Sequence, residues 1–421
     1  MTDTPQAGDE RETLLDGGAI RGLYIHFPFC ARRCRYCDFT TSACPEGDPL
    51  MREYTFAVSF LARSAAVAGL CGEVKTFYLG GGTPSFIGNR NLTSLLYLLS
   101  TRMNLEDDTE FTLELNPDSF DQDLFKDLWA LGVNRYSVGA QSFDDDVLAR
   151  LGRIHDARQT DEVVELLSSR GANVSVDLMC GVPGQSPESF LADVAHAVAL
   201  GVGHVSVYPL TIEPGTPLAQ DVASGSVDDV DEDLQADEMT AADGMLAEAG
   251  LVRYETANFA RPGFESRHNL GYWTGRQYLG LGTSAASMLS ADNFRRLVDA
   301  GVFQTDVDLS ALDDDAVVRA TVVSPADQIA ASMKQRVSVE VLDHASALVE
   351  QVMLRMRLAA GVSDDLLSEA LEADPALAGV FADLGDKGLV TRSADSFVPT
   401  ERGWLLGNEV FGAIWDTAAG D

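Results

Sequence analysis

Short β-forming runs alternate with amphipathic helical segments through the first half of this chain of 421 residues. The β-forming runs are LYIHF (23–27), TFYLG (76–80), FTLEL (111–115), NRYSVG (134–139), NVSVDLM (173–179) and HVSVY (204–208). The helical segments between them are 53–68, 91–100, 121–131, 158–170 and 187–200. Alternation of strand and helix predicts parallel strands joined by right-handed crossovers. We therefore predict an α/β fold, a partial TIM-like (β/α)6 barrel that binds ligands at the carboxyl ends of its strands.

The chain beyond this alternation divides into further parts. We expect a flexible tail at 1–20, the barrel and its extension at 21–290, a connecting segment at 291–340 and a C-terminal α+β module at 341–421. Within the module, two helices (347–360 and 364–373), a short hairpin and a final helix resemble a winged-helix arrangement. The acidic run DDVDEDLQADE, at 228–238, is interpreted as the solvent-exposed start of a helix that ends near Ala249.

The charge balance limits the kinds of partner that the chain can have. It contains 30 Lys and Arg residues against 65 Asp and Glu residues, a formal net charge of −35. A surface of this sign repels phosphate backbones, so we expect no nucleic-acid partner. The C-terminal module is accordingly assigned to packing or partner docking, although winged helices often bind DNA.

The cysteines suggest a metal site rather than disulfide bonds. We expect a cytoplasmic protein, because the first 20 residues lack the basic and apolar regions of a secretory signal and no long apolar run follows. Thiols stay reduced in that compartment. The run CARRCRYC places Cys30, Cys34 and Cys37 directly after the first predicted strand. Three thiolates on a short loop suit a [4Fe-4S] cluster with one open iron, whereas zinc would need a fourth ligand such as His26.

The cysteine spacing, with Tyr36 before the last cysteine, resembles the radical S-adenosylmethionine (SAM) superfamily. In that superfamily the open iron binds the amino and carboxylate groups of SAM. The GGGTP turn after the second strand carries Gly81, Gly82 and Thr83, and its glycines permit close approach of a ligand to the backbone. The resemblance implies that this turn holds the methionine amino group.

Finer matches extend the resemblance along the barrel. They lie in ELNP, GAQSFD, LGRIH and VDLMCGVPGQ, which carry Glu114, Gln141, Arg153 and Asp177. These motifs are similar to one branch of the superfamily, the coproporphyrinogen III dehydrogenases and the HemW-like haem chaperones. The resemblance implies that these four residues line the SAM pocket, together with Tyr24.

Two features favour the haem chaperones within this branch. Phe39 stands where the dehydrogenases carry a further cysteine, and HNLGYW (268–273) is similar to a motif characteristic of the chaperones. The resemblance implies haem as cargo, and we place a haem contact at His268, Tyr272 and Trp273, because imidazole can bind haem iron and aromatic rings can stack on the macrocycle. One position departs from the pattern, since Ala286 in GLGTSAAS replaces the histidine usual among relatives.

Three functions remain open from the sequence. The first is a haem chaperone that passes haem to a respiratory apoprotein, with room for a transient membrane-protein contact and a homodimer. The second is a radical SAM enzyme acting on a tetrapyrrole, by decarboxylating coproporphyrinogen III or by modifying haem. The third, a zinc-dependent regulatory protein with a DNA-binding wing, agrees poorly with the net charge.

Overall fold

The computed structural model describes residues 18–103 and 108–418. Its strands are β1 (Gly22–Phe27), β2 (Phe29–Cys30), β3 (Ser42–Ala43), β4 (Thr76–Gly81), β5 (Glu110–Leu115), β6 (Arg135–Gln141), β7 (Asn173–Cys180), β8 (His204–Pro209), β9 (Val252–Arg253), β10 (Asn258–Ala260), β11 (Tyr278–Leu281), β12 (Ala286–Ser290), β13 (Phe303–Gln304), β14 (Val317–Val322), β15 (Gln335–Leu342), β16 (Val362–Ser363), β17 (Val390–Ser393) and β18 (Ser396–Pro399). Its α-helices are α1 (Pro49–Val67), α2 (Asn89–Arg102), α3 (Gln122–Ala130), α4 (Asp145–Leu151), α5 (Ala157–Ser168), α6 (Pro187–Ala199), α7 (Pro217–Ala223), α8 (Glu232–Glu248), α9 (Arg267–Trp273), α10 (Ala291–Asp299), α11 (Ala326–Ser332), α12 (His344–Arg355), α13 (Asp364–Ala373), α14 (Leu377–Asp386), α15 (Glu401–Leu405) and α16 (Gly407–Ala418).

The six predicted β/α units are confirmed as the centre of one large sheet. Strands β1, β4, β5, β6, β7 and β8 are neighbours in that order, and every pair is parallel. The strand β11, which the sequence pattern did not predict, adds a seventh parallel strand beside β1. Antiparallel strands extend both edges, β12, β14 and β15 beyond β11, and β10 and β9 beyond β8. In the described residues no pairing joins β8 to β1, so the barrel is open.

The two faces of the parallel strands have opposite character because successive side chains alternate between them. One face packs against the helices through fully buried apolar residues such as Leu23, Ile25 and Leu113. The other face is polar. Its members contact each other across the strands, as Tyr78 with Glu114 and Ser137 with Asp177. The barrel interior is therefore a hydrogen-bonded polar column, and the site lies at its upper end.

Three parts of the sequence interpretation meet the structure differently. The predicted tail lies almost wholly outside the described residues, but Ile20 at its end is buried in the main core. The segment 291–340 contributes β14 and most of β15 to the large sheet, so the sheet continues past residue 290. Helix α12 ends at Arg355 and not near 360, because the chain turns there and Leu358 forms a β-bridge with Glu255. The division into domains stays a prediction.

The C-terminal module has a core of its own. Helices α12, α13, α14 and α16 and the three-stranded sheet β16–β18–β17 surround a cluster of apolar residues that includes Leu348, Val352, Phe381 and Ile414. This arrangement of helices and a short hairpin confirms the predicted α+β module. Helix α8 likewise begins within the acidic run, where the Asp231 side chain accepts a hydrogen bond from the Leu234 backbone.

Candidate cluster and cofactor site

The cysteine loop, residues 28–44, follows β1 and is held at several points by backbone hydrogen bonds. The N–H of Thr83 donates to the carbonyl of Phe29 (2.9 Å), and the N–H of Cys44 donates to the carbonyl of Cys30 (3.1 Å). Farther along, the N–H of Arg35 donates to the carbonyl of Leu151 (3.0 Å) at the end of α4. These bonds fix the loop against the GGGT turn on one side and against α4 on the other.

The three predicted cluster ligands line one cavity. The cavity has a volume of about 400 Å³ and opens at the carboxyl ends of the parallel strands. The predicted site residues on its wall are Cys30, Cys34, Cys37, Tyr36, Gly81, Gly82, Thr83, Glu114, Gln141, Arg153 and Asp177. Six loops and strands, with up to 147 positions between their residues, therefore bring their predicted side chains to one space.

The donor set of this wall fits an iron–sulfur cluster. Burial raises the pKa of Cys30 to about 11 and also raises that of Cys37, so these thiols need a strong Lewis acid to deprotonate them. The Cys34 sulfur accepts a hydrogen bond from Arg153 Nη1 (3.4 Å), and the Cys30 sulfur accepts one from Thr83 Oγ1 (3.6 Å). Such donors stabilise the negative charge of thiolates that hold a cluster.

The GGGT turn needs its glycines for steric reasons. Gly81 has a φ of 112°, and a Cβ atom on it would lie 2.6 Å from the ring of His26. A Cβ atom on Gly82 would lie 2.9 Å from Cys30 Sγ and 2.8 Å from the carbonyl oxygen of Phe29. A side chain at Gly81 would therefore push the turn away from β1, and one at Gly82 would push it away from the cysteine loop.

Glu114 ties this turn to the neighbouring strand. Its Oε2 accepts a hydrogen bond from the N–H of Gly81 (3.0 Å), and its Oε1 accepts one from the hydroxyl of Tyr78 (2.7 Å). Burial raises the pKa of Glu114 to about 7, although both hydrogen bonds act in the opposite direction. The group therefore titrates near neutral pH.

Arg153 reaches the cavity because α4 ends abruptly before it. Gly152 has a φ of 77°, which terminates the helix in the left-handed region and turns the next residue back toward the sheet. Arg153 Nη2 donates to Asn116 Oδ1 (2.6 Å) and to the carbonyl of Gly139 (2.7 Å). Asn116 in turn donates to Thr83 Oγ1 (2.9 Å), so one chain of hydrogen bonds links the GGGT turn to Cys34.

Gln141 ends β6 in a conformation that few residues other than glycine adopt. Its φ is 68°, and the register between β6 and β7 shifts between Val138 and Gln141. A bulge with a left-handed residue costs free energy that the surrounding structure must offset, and such positions concentrate at ligand sites. The bulge directs the chain so that Gln141 lines the cavity.

Asp177 lies between three serine hydroxyls on three strands. Its carboxylate accepts hydrogen bonds from Ser206 (2.7 Å), Ser137 (3.1 Å) and Ser175 (3.5 Å). Burial raises its pKa while these hydroxyls lower it. Ser175 also bonds to His204 Nδ1 (2.7 Å), so the polar column continues below the carboxylate.

Two remaining predicted positions differ in where they lie. Tyr36 is on the cavity wall, as stated above, next to Arg153 and the cysteines. Tyr24 is part of β1 and is not among the described residues that line the cavity. Its hydroxyl bonds to His26 Nδ1 (2.9 Å), while His26 Nε2 bonds to the carbonyl of Thr40 (3.1 Å). Both nitrogens of His26, the residue considered as a zinc ligand, thus have partners. In the described ranges, no three His, Cys, Asp or Glu side chains are grouped so that they could hold one metal ion.

The HNLGYW motif forms α9 and lies at the amino ends of β1 and β4, away from the cysteines. His268 is buried, and its Nδ1 and Nε2 bond to Thr76 Oγ1 and to the Tyr272 hydroxyl, each at 2.8 Å. Trp273 Nε1 donates to Glu255 Oε2 (2.9 Å). The haem contact at this motif stays a prediction. Iron ligation by His268 would require one of these two hydrogen bonds to break.

Ala286 and Phe39 both lie on the cysteine side of the sheet. Ala286 begins β12 and is exposed. Ser284, two residues earlier, donates to Thr40 Oγ1 (2.8 Å) in the cysteine loop. Phe39 is 63% exposed on the cavity rim.

Several residues of the site were missed from the sequence. Asn116, Tyr78, Ser137 and Ser206 each hold a predicted site residue in place. The alternation of side chains along the strands could have found three of them, since they lie two or four residues from interior-facing positions. Asn116 directly follows β5, in the ELNP motif, where strand-end polar residues are good candidates for a site.

Comparison with known families agrees with this geometry. The Radical SAM superfamily matches residues 24–197, and the HemN C-terminal domain matches residues 342–406. The first match contains every strand that lines the cavity except β8, and the second contains most of the C-terminal module.

Two of three curated relatives are similar over nearly the whole chain, and the third over about three fifths of it. The Heme chaperone HemW of Bacillus subtilis (strain 168) is 31% identical over 399 residues, which are 94% of this chain and 99% of the relative. The Heme chaperone HemW of Mycobacterium tuberculosis (strain H37Rv) is 34% identical over 92% of this chain and 93% of the relative. That of Escherichia coli (strain K12) is 39% identical over 62% of this chain and 68% of the relative.

The fold is also that of a solved structure. The coproporphyrinogen III oxidase HemN from Escherichia coli, described as a radical SAM enzyme, superimposes with a TM-score of 0.74 over 98% of this chain and 96% of that chain, at 19% identity. In the described part of the chain no helix is long and apolar enough to cross a membrane. By its matched domains and its relatives, the chain belongs to the HemW family of the radical SAM superfamily.

Proposed function

We propose that this protein is a haem chaperone that holds a [4Fe-4S] cluster on Cys30, Cys34 and Cys37 and binds SAM in the adjoining cavity. The observation that carries the cofactor assignment is the shared wall of the cavity, where the three thiols lie with the GGGT turn, Glu114 and Asp177. When bound, the cluster and SAM supply one-electron chemistry that no side chain can supply. The haem assignment is supported by relatives named Heme chaperone HemW, which this chain matches over nearly their whole length.

The cavity residues have distinct tasks in this proposal. Glu114 and the backbone of the GGGT turn take the amino group of SAM, since both are close together and Glu114 is an acceptor. Asp177, already surrounded by hydroxyl donors, accepts hydrogen bonds from the ribose hydroxyls. Arg153 and Gln141 position the ligand, and neither serves as an acid or base.

We propose that the protein carries haem to a respiratory haem apoprotein and does so in the cytoplasm. The division into domains given in the sequence analysis is part of the same proposal. The site on this chain is proposed at His268, Tyr272 and Trp273. Tyr272 and Trp273 are partly accessible on α9, whereas His268 is 2% exposed. Haem binding there therefore requires α9 to move away from β4.

The cluster is tested by anaerobic reconstitution of the full chain, followed by measurement of iron and acid-labile sulfide. Cys34→Ser should lose the thiolate-to-iron absorption, because it removes one of three ligands. Cys44→Ser is the matched control. Cys44 belongs to the same segment but is absent from the described cavity wall, so its variant should keep the cluster. Loss of the cluster in both variants would show that the ligands were assigned wrongly.

The chaperone activity is tested by haem titration of the reconstituted protein and by transfer to a respiratory haem apoprotein. We expect saturable, roughly equimolar binding, with weaker binding by His268→Ala, as for other single-site ligands. Formation of 5′-deoxyadenosine with coproporphyrinogen III, without saturable haem binding, would favour the enzymatic alternative. Binding without transfer would contradict the chaperone role.

A further inference from the structure

The HNLGYW motif contacts the cofactor site from below through the aromatic side chain of Tyr78. The imidazole of His268 stacks on the ring of Tyr78, with centroids 5.0 Å apart and planes inclined by 26°. The hydroxyl of Tyr78 points upward and donates to Glu114 Oε1 (2.7 Å). Glu114 then accepts from the N–H of Gly81 in the GGGT turn (3.0 Å). Four residues from three segments therefore form one continuous path.

The lower end of this path is rigidly held. Both ring nitrogens of His268 are hydrogen-bonded, to Thr76 and to Tyr272, at 2.8 Å each. Its backbone N–H donates to Glu110 Oε1 (2.9 Å), which fixes the start of α9. Burial lowers the pKa of His268 to about 3, so the ring is neutral at physiological pH. Because the His268 ring is neutral and held by three hydrogen bonds to its residue, it fixes the position of the Tyr78 ring stacked on it.

The upper end leaves Tyr78 and Glu114 little freedom. Gly80 lies between them, and a Cβ atom on it would be 2.9 Å from the ring of Tyr78 and 3.1 Å from the carboxyl group of Glu114. The space that a side chain at Gly80 would fill is therefore occupied by Tyr78 and Glu114. Because the Tyr78 ring is held between this position and His268, its hydroxyl stays directed at Glu114.

We propose that His268 is a positioning residue of the cofactor cavity, which fixes the Tyr78 ring and through it the Glu114 carboxylate that receives the amino group of SAM. The inference rests on the proposed binding of SAM beside Glu114. It gives the HNLGYW motif a task that differs from haem ligation. The motif shapes the cofactor end of the barrel from the opposite end.

The test is the affinity for SAM, measured by equilibrium dialysis of labelled SAM against anaerobic, cluster-loaded protein. Tyr78→Phe keeps the ring and loses the hydroxyl, and His268→Ala loses the stacking partner. We expect each variant to bind SAM about tenfold more weakly, as one lost hydrogen bond to a charged group predicts. Tyr136→Phe is the matched control, because its hydroxyl bonds to the carbonyl of Val133 on the other face of the sheet.

A double variant separates positioning from a general loss of structure. If His268 acts through Tyr78, His268→Ala combined with Tyr78→Phe should bind SAM about as weakly as either single variant. Independent effects, which multiply to about a hundredfold, would overturn the proposal. His268→Phe keeps a stacking ring and should restore most of the affinity, which also serves where His268→Ala fails to fold. Unchanged affinity in Tyr78→Phe would overturn the proposal without any His268 variant.

The same measurements distinguish this inference from the proposed function. If the wild-type protein does not bind SAM, or if Glu114→Gln binds it normally, the cofactor site itself is wrong. If Glu114→Gln weakens binding and His268→Ala does not, only the positioning role fails. A His268→Ala protein that loses haem but keeps its SAM affinity would likewise overturn it, in favour of simple haem ligation.

Discussion

Glu114 is buried and accepts hydrogen bonds from Tyr78 and from the Gly81 backbone. Burial and the two hydrogen bonds act on its pKa in opposite directions. Burial disfavours the ionised form and prevails, which brings the pKa to about 7, whereas Tyr78 and the Gly81 backbone favour the ionised form. A carboxyl group in this balance changes its charge in the physiological range. Ligand binding that needs the ionised form therefore depends on pH.

We expect the affinity for SAM to rise with pH through about 7. Below that pH Glu114 is protonated in the free protein and must release a proton before it can accept from the amino group of SAM. Affinity should then fall by up to about tenfold per pH unit. The measurement is calorimetric titration at several pH values, in buffers with different ionisation enthalpies, to count the protons released. Glu114→Gln should bind more weakly and lose the pH dependence near 7.

Arg153 is expected to tune the cluster through Cys34. Its Nη1 lies 3.4 Å from Cys34 Sγ, and a cationic donor stabilises the more negative, reduced cluster. If the bond is worth about 1.4 kcal/mol more in the reduced state, Arg153→Gln, which removes the positive charge, should lower the reduction potential by about 60 mV. Anaerobic redox titration followed by electron paramagnetic resonance measures this. The exposed Arg158, also changed to Gln, is the control, and equal potentials in the two variants would contradict the prediction.

At the scale of elements, the GGGT turn and the cysteine loop determine each other's position. The turn passes so close to Cys30 that it has no room for a side chain at Gly82. The loop is also bonded to the turn through its backbone, as Thr83 N–H donates to the carbonyl of Phe29 (2.9 Å). The two elements therefore form one unit at the carboxyl edge of the sheet.

Gly82→Ala should impair the cluster without unfolding the protein. The new methyl group would displace Cys30 Sγ, and a ligand displaced by more than about 0.5 Å loses its geometry. We expect the reconstituted variant to retain about half or less of the wild-type iron, measured with sulfide and by absorption. Gly244→Ala, within α8 and with no atom near its Cβ position, is the control and should keep the full cluster. A full cluster in Gly82→Ala would rule out the steric argument.

At the scale of the whole molecule, the large sheet and the C-terminal module are linked by a partly buried ion pair between Arg319 and Glu350. Arg319 of β14 bonds to Glu350 of α12 at 2.6 Å, and its guanidinium group lies 5.1 Å from the ring of Trp415 in α16. Glu350 is 3% exposed and so depends on this partner for its charge. The module is thereby attached to the sheet by a contact that is costly to break.

Arg319→Met should destabilise the protein by about 3 kcal/mol, because it leaves a buried carboxylate unpaired. Urea unfolding, followed by tryptophan fluorescence, measures the change. Adding Glu350→Gln should recover much of the loss, since the unpaired charge is then removed. Arg336→Met breaks an exposed pair with Asp306 and should cost less than about 1 kcal/mol. Equal losses in the two single variants would contradict the role assigned to burial.

The sequence predicted the parts of the site that depend on neighbouring residues in the chain. The six strands, their helices and the cysteine triplet follow from period-2 and helical patterns and from close spacing, all of which act over short distances. Glu114 and Asp177 were assigned through the family resemblance, and their positions near strand ends agree with the rule that parallel strands bring their carboxyl ends to one edge. The same rule, applied two residues earlier along β4, would have found Tyr78.

The tertiary structure decided what depends on distant residues. The strand β11 has only four residues, too few for a pattern, and becomes a strand because its backbone pairs with β1, more than 250 positions away. The segment around His268 has a turn-rich sequence, yet it forms a helix whose first N–H groups bond to Glu110, 158 positions earlier. That contact, together with the hydrogen bond between His268 and Thr76, holds His268 under Tyr78.

The sequence by itself therefore determined the barrel, the cysteine triplet and the resemblance to the family, because these depend on local patterns and spacing. Only the tertiary structure decided how far the sheet extends past residue 290 and at which end of the barrel the HNLGYW motif lies. The physical reason is that backbone pairing and burial join residues hundreds of positions apart, and a local pattern carries no information about such partners.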